Sequence, residues 1–322
     1  MADFNIGGQA VIEGVMMRSV DKVATAVRIP SGEIVIKTED FKSIVQHHKI
    51  LAIPIIRGAV SFFEMMIVGF KTLNFSAEIA SKEIEKEEAA KKGEEYQENK
   101  NSSNAIWLWL TTIFAMGLGI GIFFFIPLAI SNLFEFDKNA VAFNLLAGAF
   151  RVAMFLTYVW ALTLSKEFQR IFQYHGAEHK AIFTYEMKSE LTPENAAKFT
   201  RFHPRCGTSF VLIVALFAIF VYAISDSIYA WVTGMAPELL TRFVLHLSLL
   251  PFVAGGSYEI LKFSAKNREN KLVNAFIQPG LWLQRLTTRE PTFDQLEVAI
   301  VALESALGIT ESKIEAKRTP VY

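Results

Sequence analysis

The sequence predicts a mainly α-helical, polytopic membrane protein. It has four transmembrane helices and an interfacial helix, with a small N-terminal β-layer and a helical tail on the cytoplasmic side. Three observations carry that reading. Apolar residues make up 52% of the 322 residues and charged residues only 20%, with 28 phenylalanines, more than a soluble enzyme needs. Four stretches, 105–130, 143–164, 209–229 and 239–261, are apolar over the about 20 residues that a helical crossing takes. The connecting loops differ sharply in basic residues, which sets an orientation. Formal net charge is zero, so nothing points to nucleic acid as a partner. Cys206 is the single cysteine, which excludes an internal disulfide. The first residues lack the charged-then-apolar pattern of a leader peptide.

Residues 1–45 read as β. The runs 9–17, 22–29 and 33–37 are rich in Val, Ile and Thr, and Pro30-Ser31-Gly32 marks a turn between the last two. Gly7, Gly8 and Gly14 mark tight backbone or a close approach. Glu13 stands among apolar neighbours, either as an exposed strand residue or as a carboxylate turned into a site. The segment 50–104 joins an interfacial helix to a charged linker. Its first part is apolar but interrupted by Pro54, Arg57, Glu64 and Lys71, which are costly within a crossing.

The four-helix unit spans 105–262. Loop 131–142 has one basic residue, Lys138, and loop 230–238 has none. Loop 165–208 carries seven, from Lys166 to Arg205, and Lys262, Lys266, Arg268 and Lys271 follow the fourth span. The positive-inside rule therefore places loop 165–208 and both termini in the cytoplasm. The tail, 263–322, contains an expected helix ended by Pro279-Gly280. A capping box at Thr292 then starts an amphipathic helix that Gly308 ends.

The chemistry concentrates in loop 165–208, at Tyr174-His175-Gly176-Ala177-Glu178-His179-Lys180. On a helix, positions i, i+3 and i+4 are neighbours, so His175, Glu178 and His179 share one face. Two imidazoles so spaced can reach one metal ion, and the carboxylate beside them can take a proton from an attacking water. The order His-x-x-Glu-His is the inverted zincin pattern. The histidines also lie on the apolar stripe formed by Phe168, Ile171, Phe172, Ile182 and Phe183, where core histidines are the plainer reading.

A metal needs a third ligand. Glu259 is the first choice, at the cytoplasmic end of span four and eighty residues after His179, a separation at which inverted zincins tend to supply theirs. Its rival role is pairing with Lys262. His203 and Cys206 are the alternatives, since both residue types suit zinc. Cys206 is alternatively a nucleophile activated by Arg205, or a buried inert thiol. Two charged or polar residues inside the spans also stand out. Arg151, about 12 Å along its helix, needs a buried partner, and His246 suits an interhelical hydrogen bond.

Four stretches resemble the YqhQ-like family of bacterial membrane proteins: 7–18, 175–180, 203–209 and 279–291. That family is described as predicted metal-dependent enzymes of unknown function. The resemblance covers nearly the whole chain and implies a metal site at His175, Glu178 and His179, without supplying a substrate.

The expected function is a zinc-dependent hydrolase in the bacterial cytoplasmic membrane, with Glu178 as general base. The alternative is a non-catalytic factor that docks on another membrane complex, such as the protein-insertion machinery, with any metal structural. Transport would draw only on Arg151, Glu259 and His246.

Overall fold

The computed structural model describes residues 6–92, 103–134, 139–267, 270–309 and 317–318. Residues 93–102 of the charged stretch expected within 50–104, and the basic residues Lys138 and Arg268, lie outside them.

Strands β1 (Gly7–Val11), β2 (Gly14–Arg18), β3 (Lys22–Arg28) and β4 (Ile34–Asp40) form an antiparallel meander in chain order. The run 9–17 is two strands rather than one, because Glu13 takes φ 53° and turns the chain. Gly14 completes the turn where no side chain fits: a Cβ there would lie 2.1 Å from the Ala26 carbonyl oxygen. A short β5 (Lys317–Arg318) adds in parallel beside β4, bringing the far end of the chain back to its start.

Both faces of the sheet are covered, so its strands read as nearly continuous apolar runs. α2 (Ile56–Lys92) lays Met65, Val68, Phe75 and Ile79 over Val11, Met16, Val23 and Val27. The interfacial helix expected from residue 50 begins at Ile56, after a 3-10 turn over Lys49–Ala52, and runs for 37 residues, about 55 Å at 1.5 Å per residue. A one-turn α1 (Ile44–His47) precedes it. α2 is not among the helices long and apolar enough to cross a membrane.

Among the described residues three helices are that long and apolar: 110–132, 140–162 and 210–233. The first combines α3 (Ser103–Ile120), a π-helical turn (Gly121–Phe125) and α4 (Ile126–Asn132). The others are α5 (Ala140–Leu162) and α8 (Gly207–Thr233). The expected fourth span is a pair, α9 (Leu239–Ser248) and α10 (Leu250–Lys266), bent by 50°. Pro251 lies at the bend; it lacks an N–H and its ring clashes with the preceding turn. Among the described residues, three helices are therefore long and apolar enough to cross a membrane, or four if the bent pair counts as one.

Between α5 and α8 run α6 (Lys166–Glu186) and the short α7 (Pro193–Ala197). α11 (Lys271–Thr287) does not stop at Pro279 but carries it inside, where packing against α8 outweighs the lost hydrogen bond. α12 (Phe293–Leu307) has the expected capping box and ends at Gly308 with φ 75°. It is buried on nearly every side rather than amphipathic. Its Leu296, Ile300 and Leu303 join Tyr174, Ala177 and Ala181 of α6 and Val15, Met17 and Ile34 of the sheet in the main core. The tail is therefore a structural partner of the N-terminal sheet.

One polar cluster lies inside the membrane bundle. Asn144 Nδ2 donates to Asp226 Oδ2 at 2.8 Å and His246 Nε2 donates to Oδ1 at 2.9 Å. Arg242 Nε lies 3.4 Å from Oδ2. His246 has the interhelical partner expected of it. Asp226 and Arg242 were not anticipated, although each is a charge in an apolar helix.

Candidate metal centre

α6 supplies two of the three donors. Positions 175 and 179 are one turn apart, and the imidazole centroids lie 4.5 Å apart. The third donor is Cys206, at the entry to α8. His175, His179 and Cys206 each offer a ligand atom, and these atoms lie within 4.8 Å of one another. His175 Nε2 stands 3.2 Å from Cys206 Sγ.

The opposite nitrogens fix how the rings face. His175 Nδ1 is 2.8 Å from the Thr287 carbonyl, and His179 Nδ1 is 2.5 Å from the Arg201 carbonyl. A carbonyl oxygen only accepts, so both Nδ1 atoms carry protons, and in the neutral ring tautomer this leaves the Nε2 lone pairs toward Cys206. That is how metal-binding histidines are held, with the outer N–H donated to a fixed acceptor. His179 Nε2 is buried without a hydrogen-bond partner. Burial also pulls the His179 pKa down, against Cys206, which raises it. A buried imidazole nitrogen beside a thiol and a second imidazole fits a cation such as zinc.

Glu178 reaches the same point from the sheet side. Its Oε2 lies 3.8 Å from His175 Nε2 and 3.9 Å from His179 Nε2. Burial pushes its pKa up, while His175, His203 and the Gly8 backbone N–H pull it down. Gly8 is glycine for want of room: a Cβ there would sit 2.7 Å from Glu178 Cγ. Gly176 is equally constrained, its Cβ position being 2.1 Å from the Arg289 carbonyl oxygen. That contact lets residues 287–291 pass close over α6 and deliver the Thr287 carbonyl.

The loops that carry the carbonyls are tied down in turn. Lys180, 4% exposed, donates to the Ala197 carbonyl at 3.2 Å and pairs with Glu290. Arg201 bonds the Thr288 carbonyl. Gln284 holds the His203 backbone at both ends, accepting its N–H at 2.8 Å and donating to its carbonyl at 2.7 Å.

The remaining ligand candidates lie apart from the three donors. His203 uses both ring nitrogens elsewhere: Nδ1 accepts the Arg205 N–H at 3.3 Å, and Nε2 donates to Glu186 at 3.1 Å. It backs His179 at 5.6 Å between ring centroids. Glu259 is gripped by Arg57 instead, with Nε at 2.6 Å and Nη2 at 2.5 Å, joining α2 to α10. Lys262, its expected partner, is not the residue that binds it. Glu13 does turn toward this region, pairing with Arg170 at 2.6 Å and accepting from the Tyr174 hydroxyl at 3.3 Å.

All four stretches that carry the family resemblance meet here: Gly8 and Glu13, the α6 motif, His203 to Cys206, and Gln284 to Glu290. A family model described as "Protein of unknown function (DUF1385)" matches residues 53–309. The "Uncharacterized protein YqhQ" of Bacillus subtilis (strain 168) is 33% identical over 327 residues, which cover 98% of this chain and 96% of that one. No solved structure matches the chain. The chain belongs to the DUF1385 family of proteins of unknown function, and its likeness to YqhQ extends over nearly its whole length.

Proposed function

We propose that the protein is a zinc-dependent hydrolase, its centre held by His175, His179 and Cys206 on the cytoplasmic side of a bacterial cytoplasmic membrane. The observation that supports this most is the pair of Nδ1–H groups donated to the Thr287 and Arg201 carbonyls. Zinc bound there would supply Lewis-acid polarisation of a substrate carbonyl or phosphoryl oxygen. Glu178 would act as general base, since its Oε2 faces both imidazole nitrogens and its carboxylate is steadied by the Gly8 N–H. His203 and Glu186 would orient the loop that presents Cys206. The basic loops support a cytoplasmic site with both termini on that side.

A second reading has its own support. Glu178 is 5% exposed and His179 1% exposed, which suits a closed structural zinc site. α2 and the approach to it expose Ile50, Ile53, Phe62, Phe63, Ile67 and Phe70, a surface for lipid or for another membrane complex. On that reading the protein is a docking factor.

Purified protein and the Glu178→Gln variant separate the two. Zinc would be measured in both, with hydrolysis of fluorogenic ester, peptide and phosphodiester panels in proteoliposomes. The hydrolase reading expects one zinc per chain in each and turnover only in the wild type. Full zinc with no turnover by either, and an unaltered cellular phenotype for the variant, would move the assignment to the docking factor.

A further inference from the structure

A cavity of about 500 Å³ opens between the π-helical turn, α5, α8, α10 and α11, and its lining is almost wholly apolar. Arg151 is the one charged residue in that lining. It sits eleven residues from either end of α5, about 16 Å from each at 1.5 Å per residue. A charge at such depth is costly and marks a functional site by default.

The protein satisfies this guanidinium only in part. Nε donates to the Phe123 carbonyl at 3.1 Å, which the π-helical turn presents. The group also lies over the Phe124 ring, 4.7 Å from its centroid. Nη2 is buried with no hydrogen-bond partner, and no carboxylate among the described residues pairs with Arg151. The Tyr222 hydroxyl, on the same wall, is likewise buried without a partner. The contrast with Asp226 is direct: there Asn144, His246 and Arg242 surround the charge.

The lining includes Tyr222 and, eleven residues earlier on α8, Val211, together with Trp282 and Leu283 of α11. An apolar space with an unbalanced cation in its lining suits a molecule with one anionic oxygen head and one hydrocarbon chain. At about 30 Å³ for each water-sized group, the volume holds on the order of sixteen, one chain rather than two. One guanidinium balances one negative charge, whereas a phosphate monoester dianion would leave a charge unpaired in apolar surroundings. We propose that this cavity binds a single-chain carboxylate amphiphile, such as a long-chain fatty acid, with its head on Arg151. This does not rest on the zinc reading.

The test is equilibrium binding of radiolabelled stearate to the full-length protein in a non-ionic detergent. Octadecanol and octadecyl phosphate serve as competitors. Saturable binding of one stearate per chain is expected, with octadecanol and octadecyl phosphate both competing at least tenfold more weakly than unlabelled stearate. Arg151→Gln should weaken binding at least tenfold, as loss of a charge-assisted hydrogen bond does. Ala215→Phe, which fills the cavity and leaves Arg151 in place, should abolish binding while thermal unfolding in detergent stays that of the wild type. Absence of saturable binding to the wild type, or equal affinity in Arg151→Gln, would overturn the proposal. So would octadecanol competing as well as stearate. Tighter competition by octadecyl phosphate would overturn the carboxylate assignment.

Discussion

Two buried polar regions, one in loop 165–208 and one inside the membrane bundle, solve opposite problems. In the bundle, Asp226 is surrounded by Asn144, His246 and Arg242, so the charge is answered within the protein and the cluster locks three helices together. At the candidate metal centre both outer nitrogens are anchored, whereas of the inner ones His175 Nε2 meets Cys206 Sγ and His179 Nε2 has no hydrogen-bond partner. Both Nδ1 atoms are anchored on carbonyls, while His179 Nε2 lies buried without a partner beside Cys206 and Glu178. A closed network holds a fold, whereas convergent unsatisfied donors hold something else. Arg151 resembles the second kind although it lies in the first region.

This comparison is most exposed at the histidines. His179→Ala, or His175→Ala, should reduce bound zinc from one per chain to background by elemental analysis, since two remaining donors do not hold the ion. Retained zinc in either variant would place the site elsewhere.

Asp226→Ala should be the most damaging change in the bundle. It leaves Arg242 and His246 buried without their acceptor, at a cost of about 3–5 kcal/mol. Thermal unfolding in detergent should show a large drop in Tm, with zinc per folded chain unchanged. Equal Tm values would mean that the cluster does not bear on stability.

Gly176→Ala should cost about 1–3 kcal/mol, because its methyl group meets the Arg289 carbonyl 2.1 Å away and must push residues 287–291 off α6. The Thr287 carbonyl moves with them, so zinc affinity should fall together with Tm. A fall in Tm alone would show that the carbonyl is not what orients His175.

Glu178 gives a smaller, pH-dependent effect in zinc-free protein. Its folded pKa is raised above 4.5, chiefly by burial. Such a group favours folding below its unfolded pKa and loses that contribution as pH rises toward its folded value. Glu178→Gln should therefore raise Tm at pH 7 and leave it nearly unchanged at pH 4. An increase confined to pH 4 would contradict the assigned environment.

How much of this was legible in the chain depends on the range of the interaction. The His175–His179 pair was legible because i, i+4 spacing is local, and so were the capping box at Thr292 and the turn at Gly32. Cys206 was among the candidates for third ligand, but sequence spacing favoured Glu259, and only the fold reveals Arg57 lying 202 residues away beside it. The Thr287 and Arg201 carbonyls carry no sequence signal, since every residue has one. Asp226 and Arg242 could have been found by the reasoning that singled out Arg151, a charge in an apolar run. α11 running through Pro279, and α12 buried all round, show tertiary packing overriding local punctuation.

The smallest effect should come from Glu259→Gln. Its pair with Arg57 is partly exposed, so the loss should be about 1 kcal/mol or less, with zinc unchanged. Loss of zinc in that variant would return Glu259 to the ligand set.

X-ray absorption at the zinc edge on the purified wild type tests the central claim most directly. The account predicts one sulfur at about 2.3 Å and two imidazole nitrogens at about 2.0 Å. A zinc shell without sulfur, or a protein that binds no zinc at neutral pH, would contradict it.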